Sequence, residues 1–353
     1  MSKVALITDT HWGARGDSII FGDYISKFYS EQFFPYLIEN DIKHVIHLGD
    51  ALDRRKFVNF VTAKRFKEDF IIPLDENNID AYFIIGNHDT YFKNTNEVNC
   101  MNVLFGRNVK SYDKPDRITI DGTDIVLMPW ICSGNYDECM EYISNTKAQI
   151  LFGHLDISGF QMYKGIASAH EGLDRNIFSK FDLVCSGHFH HKSHEDNIHY
   201  LGAPYEMTWS DYNDPRGFHI FDTNTRDLTF IQNTFTMFTK VFYDDSDREK
   251  QNQMDDYNFD SIKNKYVKVV VKNKVNVHLF DLFIDRLNAV GPAHMQVVED
   301  NLNLDLDDDT EIINEAEDTI TIIKKYIDAL QIKNQKTVEN LFMDLYHEAL
   351  STE

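Results

Sequence analysis

The sequence contains few cysteines and no long run of apolar residues, and both shortages limit what the chain can be. Its four cysteines, Cys100, Cys132, Cys139 and Cys185, show no C-x-x-C spacing, which predicts free thiols. No stretch approaches the roughly 18 uninterrupted apolar residues of a membrane helix. The N-terminus leads from Met1 into a strand-like segment without the pattern of a signal peptide. These absences predict a cytoplasmic protein with reduced cysteines.

Positive charge is also scarce. The chain has 35 Lys and Arg residues against 57 Asp and Glu residues, and its formal net charge is -22. A strongly basic domain would indicate binding to a phosphate backbone, whereas this acidic balance neither indicates nor excludes it, because contacts depend on local patches. The best candidate for a DNA-binding patch is Arg54, Arg55 and Lys56. The alternative for these three residues is an ordinary solvated loop.

The hydrophobic residues that are present predict an α/β fold. With 353 residues and 42% hydrophobic content, the chain can bury a large core and form more than one folding unit. Apolar runs rich in β-branched residues alternate with helix-like segments as far as residue 185, which predicts strands buried on both faces. Three later runs, 198–201, 217–221 and 228–231, are predicted to be antiparallel strands that complete a domain over residues 1–234.

Smaller units are expected after that domain. Residues 235–300 combine two strand-like stretches with one helix-like stretch, which predicts a small α+β domain. Residues 301–310 are rich in Asn and Asp and are predicted to be a linker. Residues 311–353 have the periodicity of two amphipathic helices. These helices either bind a partner or fold back on the catalytic unit, and the pattern alone favours neither.

Five short polar motifs, each directly after an apolar run, carry most of the functional information. Ligands of open α/β sheets bind at the carboxyl ends of strands, so these motifs are expected to converge. Each motif alone is weak evidence, because a histidine at a strand end is more often structural, but five in succession predict a site. The motifs are Asp9-Thr10-His11, Gly49-Asp50-Ala51-Leu52-Asp53, Gly86-Asn87-His88-Asp89, Gly153-His154 and Gly187-His188-Phe189-His190.

The residue types in these motifs predict a site for two metal ions. Two divalent cations about 3.5 to 4 Å apart repel each other, so a carboxylate must bridge them, and Asp50 is the natural bridge. Imidazole, carboxylate and amide ligands suit Mn, Fe or Zn better than Mg. His88 is expected to stabilise the transition state or transfer a proton. Asp53 is expected to act in catalysis by orienting His88 or another ligand.

These motifs resemble those of the calcineurin-like metallophosphoesterase superfamily, which read D-x-H, G-D-x-x-D, G-N-H-D/E, G-H and G-H-x-H. Within it, the sequence is similar to the SbcD-type DNA repair nucleases, in particular the recombination endonuclease subunits of tailed phages. The resemblance covers roughly the first 230 residues. It implies a β-sandwich flanked by helices and His88 as the catalytic histidine. It assigns Asp9, His11, Asp50 and His190 to the first metal, and Asp50, Asn87, His154 and His188 to the second.

The resemblance also implies an activity and partners. It implies manganese-dependent exonuclease action on duplex DNA and endonuclease action on single strands, in recombination and double-strand break repair. It implies a homodimer and a coiled-coil ABC-type ATPase that binds the C-terminal helices. In layout it implies that residues 235–300 form a capping and DNA-binding domain. If the protein is viral, its place is the host cytoplasm. Some members have histidine at the position of Asp53, so a catalytic role is not transferred to this residue unchanged.

Other functions remain open from the sequence. The run Gly49 to Arg54 approaches the G-D-x-x-D-R-G motif of Ser/Thr phosphoprotein phosphatases, but Arg55 stands where that motif has glycine. Nucleotides and other small phosphodiesters are further possible substrates. A scaffold whose metal site only stabilises the fold is a different class of function. His88 argues against it, because no metal position requires this residue.

Overall fold

The computed structural model describes residues 2–105, 109–163, 166–167 and 172–299. In chain order the strands are β1 Lys3–Ile7, β2 His44–His47, β3 Asp80–Ile84, β4 Lys110–Tyr112, β5 Asp116–Ile120, β6 Thr123–Met128, β7 Ile150–His154, β8 Gln161–Tyr163, β9 Ile166–Ala167, β10 Leu183–Gly187, β11 Ser193–Glu195, β12 Ile198–Tyr200, β13 Gly217–Asp222, β14 Leu228–Gln232, β15 Phe238–Asp244, β16 Tyr266–Asn273 and β17 His294–Glu299. The α-helices are α1 Ala14–Asp17, α2 Ile19–Phe28, α3 Phe34–Glu39, α4 Phe60–Phe66, α5 Ile72–Glu76, α6 Tyr136–Asn145, α7 Arg248–Asp255 and α8 Val277–Val290.

Two six-stranded sheets form the larger part of the fold, as the predicted sandwich requires. The first sheet has the order β14-β13-β1-β2-β3-β4, and the second has the order β11-β12-β10-β7-β6-β5. Strands β1 to β4 run parallel, while β13 and β14 are antiparallel as predicted. Strand β12 differs from the prediction, because it runs parallel to β10 and is antiparallel only to the short β11.

The helices bury the faces on which their apolar residues recur. In α2, the buried residues Phe21, Tyr24, Ile25 and Phe28 recur at helical spacing and form one apolar face. The hydroxyl of Ser18 caps this helix by accepting a hydrogen bond from the Phe21 N–H. A π-helical turn, Tyr29–Phe33, joins α2 to α3, and another, Lys67–Ile71, joins α4 to α5.

Three hydrophobic layers hold the sandwich together. The layer between the sheets contains Leu6, Ile46 and Phe152, all of which are fully or almost fully buried. A second layer lies under the helices α2 to α5, and a third lies on the outer face of the second sheet under α6. The sheets are therefore buried on both faces, and the carboxyl ends of their parallel strands form an edge where side chains can converge.

A smaller sheet follows the sandwich. Strands β15, β16 and β17 are all parallel, and they share a core with α8 that includes Tyr243, Val269 and Phe283. Residues 1–302 form one compact unit. The domain boundary expected at residue 235 lies inside this unit and stays a prediction. The predicted linker beyond residue 300 and the two C-terminal helices lie outside the described residues. Within the described ranges, no helix has both the length and the apolar character required to cross a membrane.

Candidate metal centre

Loops at one end of the sandwich carry the side chains of the five motifs. The loops after β1, β2 and β3 come from the first sheet, and those at the ends of β7 and β10 come from the second. The structure brings these loops together, as expected for the carboxyl ends of parallel strands. The side chains are Asp9 and His11 after β1, Asp50 and Asp53 after β2, Asn87 and His88 after β3, His154 at the end of β7, and His188 and His190 after β10.

A first group of potential ligands contains Asp9, His11 and His190. Each offers a ligand atom, and these atoms all lie within 4.8 Å of one another. The Nε2 atoms of His11 and His190 are 3.1 Å apart, and Nε2 of His190 lies 3.9 Å from an oxygen of Asp9. The two imidazoles thus point their nitrogens at the same small space beside a carboxylate, as ligands of one cation do.

A second group contains Asp50, His154 and His188, whose ligand atoms also lie within 4.8 Å of one another. The amide oxygen of Asn87 is 2.9 Å from His154 Nε2 and 3.0 Å from His188 Nδ1. Oδ2 of Asp50 lies 3.3 Å from His154 Nε2 in this group, and 3.8 Å from His11 Nε2 in the first group. Asp50 therefore lies between the two groups, where a bridging carboxylate would be.

The backbone at these ligands is strained. Asp9, His11, Asp50 and His188 all have positive φ angles, between 38° and 87°, which non-glycine residues rarely adopt. Such conformations persist only where surrounding contacts impose them, and they concentrate at functional sites. Gly49, before Asp50, has a φ of 101°, and a Cβ there would lie 2.5 Å from Nδ1 of His154. Glycine is thus required for the two sheets to approach here.

The electrostatics of the two groups require positive charge. Asp9, Asp50 and His154 are almost completely buried, and burial raises the pKa of Asp9. Although burial disfavours the imidazolium, the neighbouring Asp50 raises the pKa of His154 to about 9. Buried carboxylates are stabilised by positive charge, which bound cations would supply here. Four imidazoles, two carboxylates and one amide oxygen suit divalent transition metals, so the residues present fit the expected metal pair.

His88 lies outside these two groups, although it forms a third candidate group with His11 and Asp53, whose ligand atoms also lie within 4.8 Å of one another. Its backbone N–H donates to Oδ1 of Asp50 over 2.7 Å, and its Nδ1 lies 2.6 Å from the backbone carbonyl oxygen of Asp53. Because a carbonyl oxygen only accepts hydrogen bonds, Nδ1 carries the proton of this one. Nε2 is then the ring nitrogen that can act on a substrate. The Asp53 carboxylate lies 3.4 Å from Nδ1 of His11 instead. Asp53 thus holds His88 through its main chain and His11 through its side chain.

The comparisons with known proteins agree with this geometry. A family model described as calcineurin-like phosphoesterase matches residues 2–192, which contain all five motifs. The chain belongs to this family. The family fold implies divalent metal ions, and the described residues of this phosphoesterase contain groups that could hold them.

Two curated relatives match the phosphoesterase over most of its length. It is 32% identical over 331 residues to "Exonuclease subunit 1" of Enterobacteria phage T4, a match that covers 93% of each chain. It is 24% identical to a nuclease subunit of SbcCD from Staphylococcus saprophyticus, covering 86% of this chain and 82% of the relative. A solved dimetal phosphatase from Danio rerio is 11% identical over 62% of this chain and 91% of its own, with a TM-score of 0.37, which is too low to bear on function.

The sequence prediction overlooked the role of Asp89. This carboxylate is buried and accepts hydrogen bonds from the backbone N–H groups of Gly86, Asp50 and Ala51, each over 2.9 Å. It also accepts the N–H of Leu52 over 3.3 Å. Asp89 thereby fastens the loop after β3 to the loop after β2. The G-N-H-D motif marks Asp89 as a candidate functional residue. Its position next to His88 in the sequence does not show which groups its carboxylate contacts.

The three residues of the predicted DNA-binding patch have different surroundings. Arg54 lies 3.2 Å from Asp17 and packs over the ring of Phe57, so its guanidinium already has internal contacts. Arg55 is half-buried, and its Nη1 has no hydrogen-bond partner among the described residues. Lys56 is exposed. Arg55 and Lys56 are therefore the residues of this patch that retain capacity for a phosphate.

Proposed function

We propose that this phosphoesterase is a metal-dependent DNA nuclease that hydrolyses phosphodiester bonds. The observation that carries the proposal is the arrangement of seven potential ligands in two groups around Asp50, with the imidazole of His88 beside them. The relatives named as an exonuclease subunit and as a nuclease subunit support DNA as the substrate. The proposed activity is exonuclease action on duplex DNA and endonuclease action on single strands, in recombination and double-strand break repair.

In this proposal the first metal is held by Asp9, His11, Asp50 and His190, and the second is held by Asp50, Asn87, His154 and His188. When bound, the two cations supply positive charge that holds the phosphodiester and lowers the pKa of an attacking water. The histidine-rich donor set favours manganese over magnesium, which prefers ligands that are all oxygen.

The protein's own contribution to chemistry is centred on His88. The Asp53 carbonyl fixes the tautomer of His88, and the Asp50 carboxylate fixes its backbone. In the imidazolium form, the Nε2–H group can then stabilise charge on the phosphate or donate its proton to the leaving oxygen, which leaves the neutral imidazole. Asp53 acts as a positioning residue in this scheme, since its two contacts orient His88 and His11.

The proposal extends to partners. Both curated relatives are named as subunits, which supports a function within a larger assembly. We propose a coiled-coil ABC-type ATPase that binds the segment 311–353, together with a homodimer of this chain. The three-stranded unit formed by β15 to β17 is proposed to cap the site and contribute to DNA binding.

A cleavage assay across metals and substrates tests the proposal. The purified chain is expected to cleave DNA oligonucleotides with Mn²⁺, to do so less well with Mg²⁺, and to lose activity with a chelator. The same preparation should be assayed with a phosphopeptide and a nucleoside monophosphate. Rapid phosphopeptide hydrolysis without DNA cleavage would overturn the nuclease proposal and favour a phosphatase.

A further inference from the structure

Two exposed aromatic residues follow the His88 loop. Tyr91 is 43% exposed and Phe92 is 48% exposed, although both have large apolar rings. Their ring centroids are 4.8 Å apart at an interplanar angle of 73°, so the edge of one ring meets the face of the other. Much of each ring is left in contact with solvent, which makes the pair a candidate binding surface.

The loop that carries this pair is well fixed. The Tyr91 N–H donates to the Val98 carbonyl over 2.9 Å, and the Cys100 N–H donates to the Asp89 carbonyl over 2.8 Å. The side chain of Asn96 is buried and donates to the carbonyl of Trp130 over 2.8 Å. The exposure of the rings is thus not a consequence of a loose loop. A rigid platform also loses little entropy when it binds a ligand.

The pair lies close to the proposed reaction centre. Tyr91 follows His88 by three residues, so their Cα atoms are at most ~11 Å apart even for an extended chain. Successive nucleotides of one strand rise about 3.4 Å along a duplex, and an unstacked strand spaces them further. A strand whose phosphate lies at His88 therefore brings its neighbouring bases within reach of Tyr91 and Phe92.

We infer that Tyr91 and Phe92 form a stacking platform for nucleobases next to the scissile phosphate. This inference rests on the proposed nuclease function. Aromatic faces bind bases of any sequence, and they do so best when the bases are not already stacked within a duplex. The ligand class is thus a single strand or a frayed end. Exposed Lys93, directly after the pair, adds a positive charge that suits the strand's phosphates.

A nucleic-acid strand must bind here against the net charge of the chain. With a formal net charge of -22, the protein as a whole repels a polyanion. Stacking does not depend on net charge, so it can supply affinity where the electrostatic balance is adverse. The exposed Lys93 and the nearby His88 favour a nucleic-acid strand over a second copy of this chain, which would bring a further net charge of -22 to the surface.

The test combines a double variant with modified DNA. Tyr91→Leu/Phe92→Leu keeps apolar side chains and removes both rings, while the matched control Tyr91→Phe/Phe92→Tyr keeps both rings. Each protein is assayed with Mn²⁺ on single-stranded oligonucleotides that carry one abasic nucleotide at successive positions around the cleaved bond. Metal binding and thermal unfolding of the variants confirm that the fold and the metal centre are retained.

For the wild type, an abasic nucleotide at the stacking position is expected to raise KM on the order of 10-fold. The leucine variant should show a similar rise on unmodified DNA and no further rise on abasic DNA, with kcat little changed. The aromatic control should behave as the wild type. A leucine variant with wild-type KM, or one that retains the abasic effect, would overturn the inference.

Two further outcomes separate the platform from its alternatives. If the leucine variant changes oligomeric state in sedimentation while its KM for DNA stays normal, the pair is a contact between copies and the stacking platform is rejected. If the wild type cleaves no DNA but hydrolyses phosphopeptides, the proposed function fails and the platform fails with it. Normal DNA cleavage by both wild type and leucine variant rejects the platform alone.

Discussion

The carboxylate of Asp89 accepts the backbone N–H of Asp50 over 2.9 Å, and so one buried acid holds the residue that lies between the two ligand groups. The same side chain accepts three more backbone N–H groups from the loops after β2 and β3. Asp50 has a positive φ of 54°, a strained conformation that needs external support. Asp89 supplies that support without having to bind metal itself.

Replacing Asp89 by asparagine should loosen the centre. An amide offers one oxygen where the carboxylate offers two, and its NH₂ group would face backbone donors. We expect a loss of about 1–3 kcal/mol in the free energy of unfolding and a weaker affinity for Mn²⁺. Urea denaturation and calorimetric metal titration measure both effects, with exposed Asp227→Asn as the control. Unchanged metal affinity in Asp89→Asn would show that the loop junction does not support the ligands.

The convergence of the candidate ligands could be predicted because they lie at or just after the ends of buried strands. The sequence locates each strand end through an apolar run, and parallel strands bring their carboxyl ends to one edge. Asp89 could not be assigned in this way, since its four partners include residues almost 40 positions away. The sequence also does not show that His88 hydrogen-bonds to the backbone carbonyl of Asp53.

Short strands and strand directions were harder to predict. Strands β4, β8, β9 and β11 contain only two or three residues, too few for a periodic pattern to be visible. The direction of β12 relative to β10 depends on the path of the connection and not on the side chains of β12. Tertiary context therefore determines these features.

Removing the imidazole of His88 should separate catalysis from metal binding. His88→Ala is expected to lower kcat for DNA cleavage by about 10²- to 10⁴-fold, the range typical of a lost general acid or base. Because each of the two proposed metals has four other ligands, bound manganese measured by elemental analysis should stay at the wild-type level. His154→Ala is the contrasting variant, and it should lose metal as well as activity. A parallel loss of metal in His88→Ala would place this residue among the ligands.

Asp53→Ala should act mainly on metal affinity. The backbone carbonyl that holds His88 remains in this variant, while the carboxylate 3.4 Å from His11 is lost. Loss of a carboxylate that contacts a metal-binding histidine typically weakens metal affinity by about 10- to 100-fold. We therefore expect a higher Mn²⁺ concentration for half-maximal activity and a kcat at saturating metal close to that of the wild type. A large fall in kcat at saturating metal would instead indicate that the carboxylate takes part in the reaction.

A chain that ends at Asn301 should test the role of the C-terminal segment. The proposed metal ligands all lie within the compact unit formed by residues 1–302, so metal binding and Mn²⁺-dependent hydrolysis of a short oligonucleotide should persist. Co-purification with the proposed ATPase should be lost, because the amphipathic segment 311–353 is missing. Full-length protein is the control. Undiminished association of the shortened chain with the ATPase would place the binding surface elsewhere.

Glu206 should make the stability of the protein depend on pH. Burial raises the pKa of this carboxyl to about 7, although its Oε2 accepts the N–H groups of Met237 and Phe238 over 2.6 and 2.9 Å. Asp211 raises this pKa further, while Arg216 lowers it. A folded pKa above the ordinary value of 4.5 means that the folded state retains a proton that the unfolded state releases. The stabilising contribution is complete below pH 4.5 and is lost as the pH rises through 7.

Glu206→Gln tests this dependence because glutamine cannot ionise and its single carbonyl oxygen can accept both N–H groups. Relative to wild type, the variant should be about equally stable at pH 4.5 and more stable at pH 8, by about 1–3 kcal/mol. Urea denaturation of both proteins with a chelator present measures this difference, and exposed Glu39→Gln should show no such trend. An equal stability difference between Glu206→Gln and wild type at both pH values would contradict this prediction. Glu206 would then ionise in the folded protein as readily as in the unfolded chain, and the buried junction between the sandwich and β15 would not respond to pH.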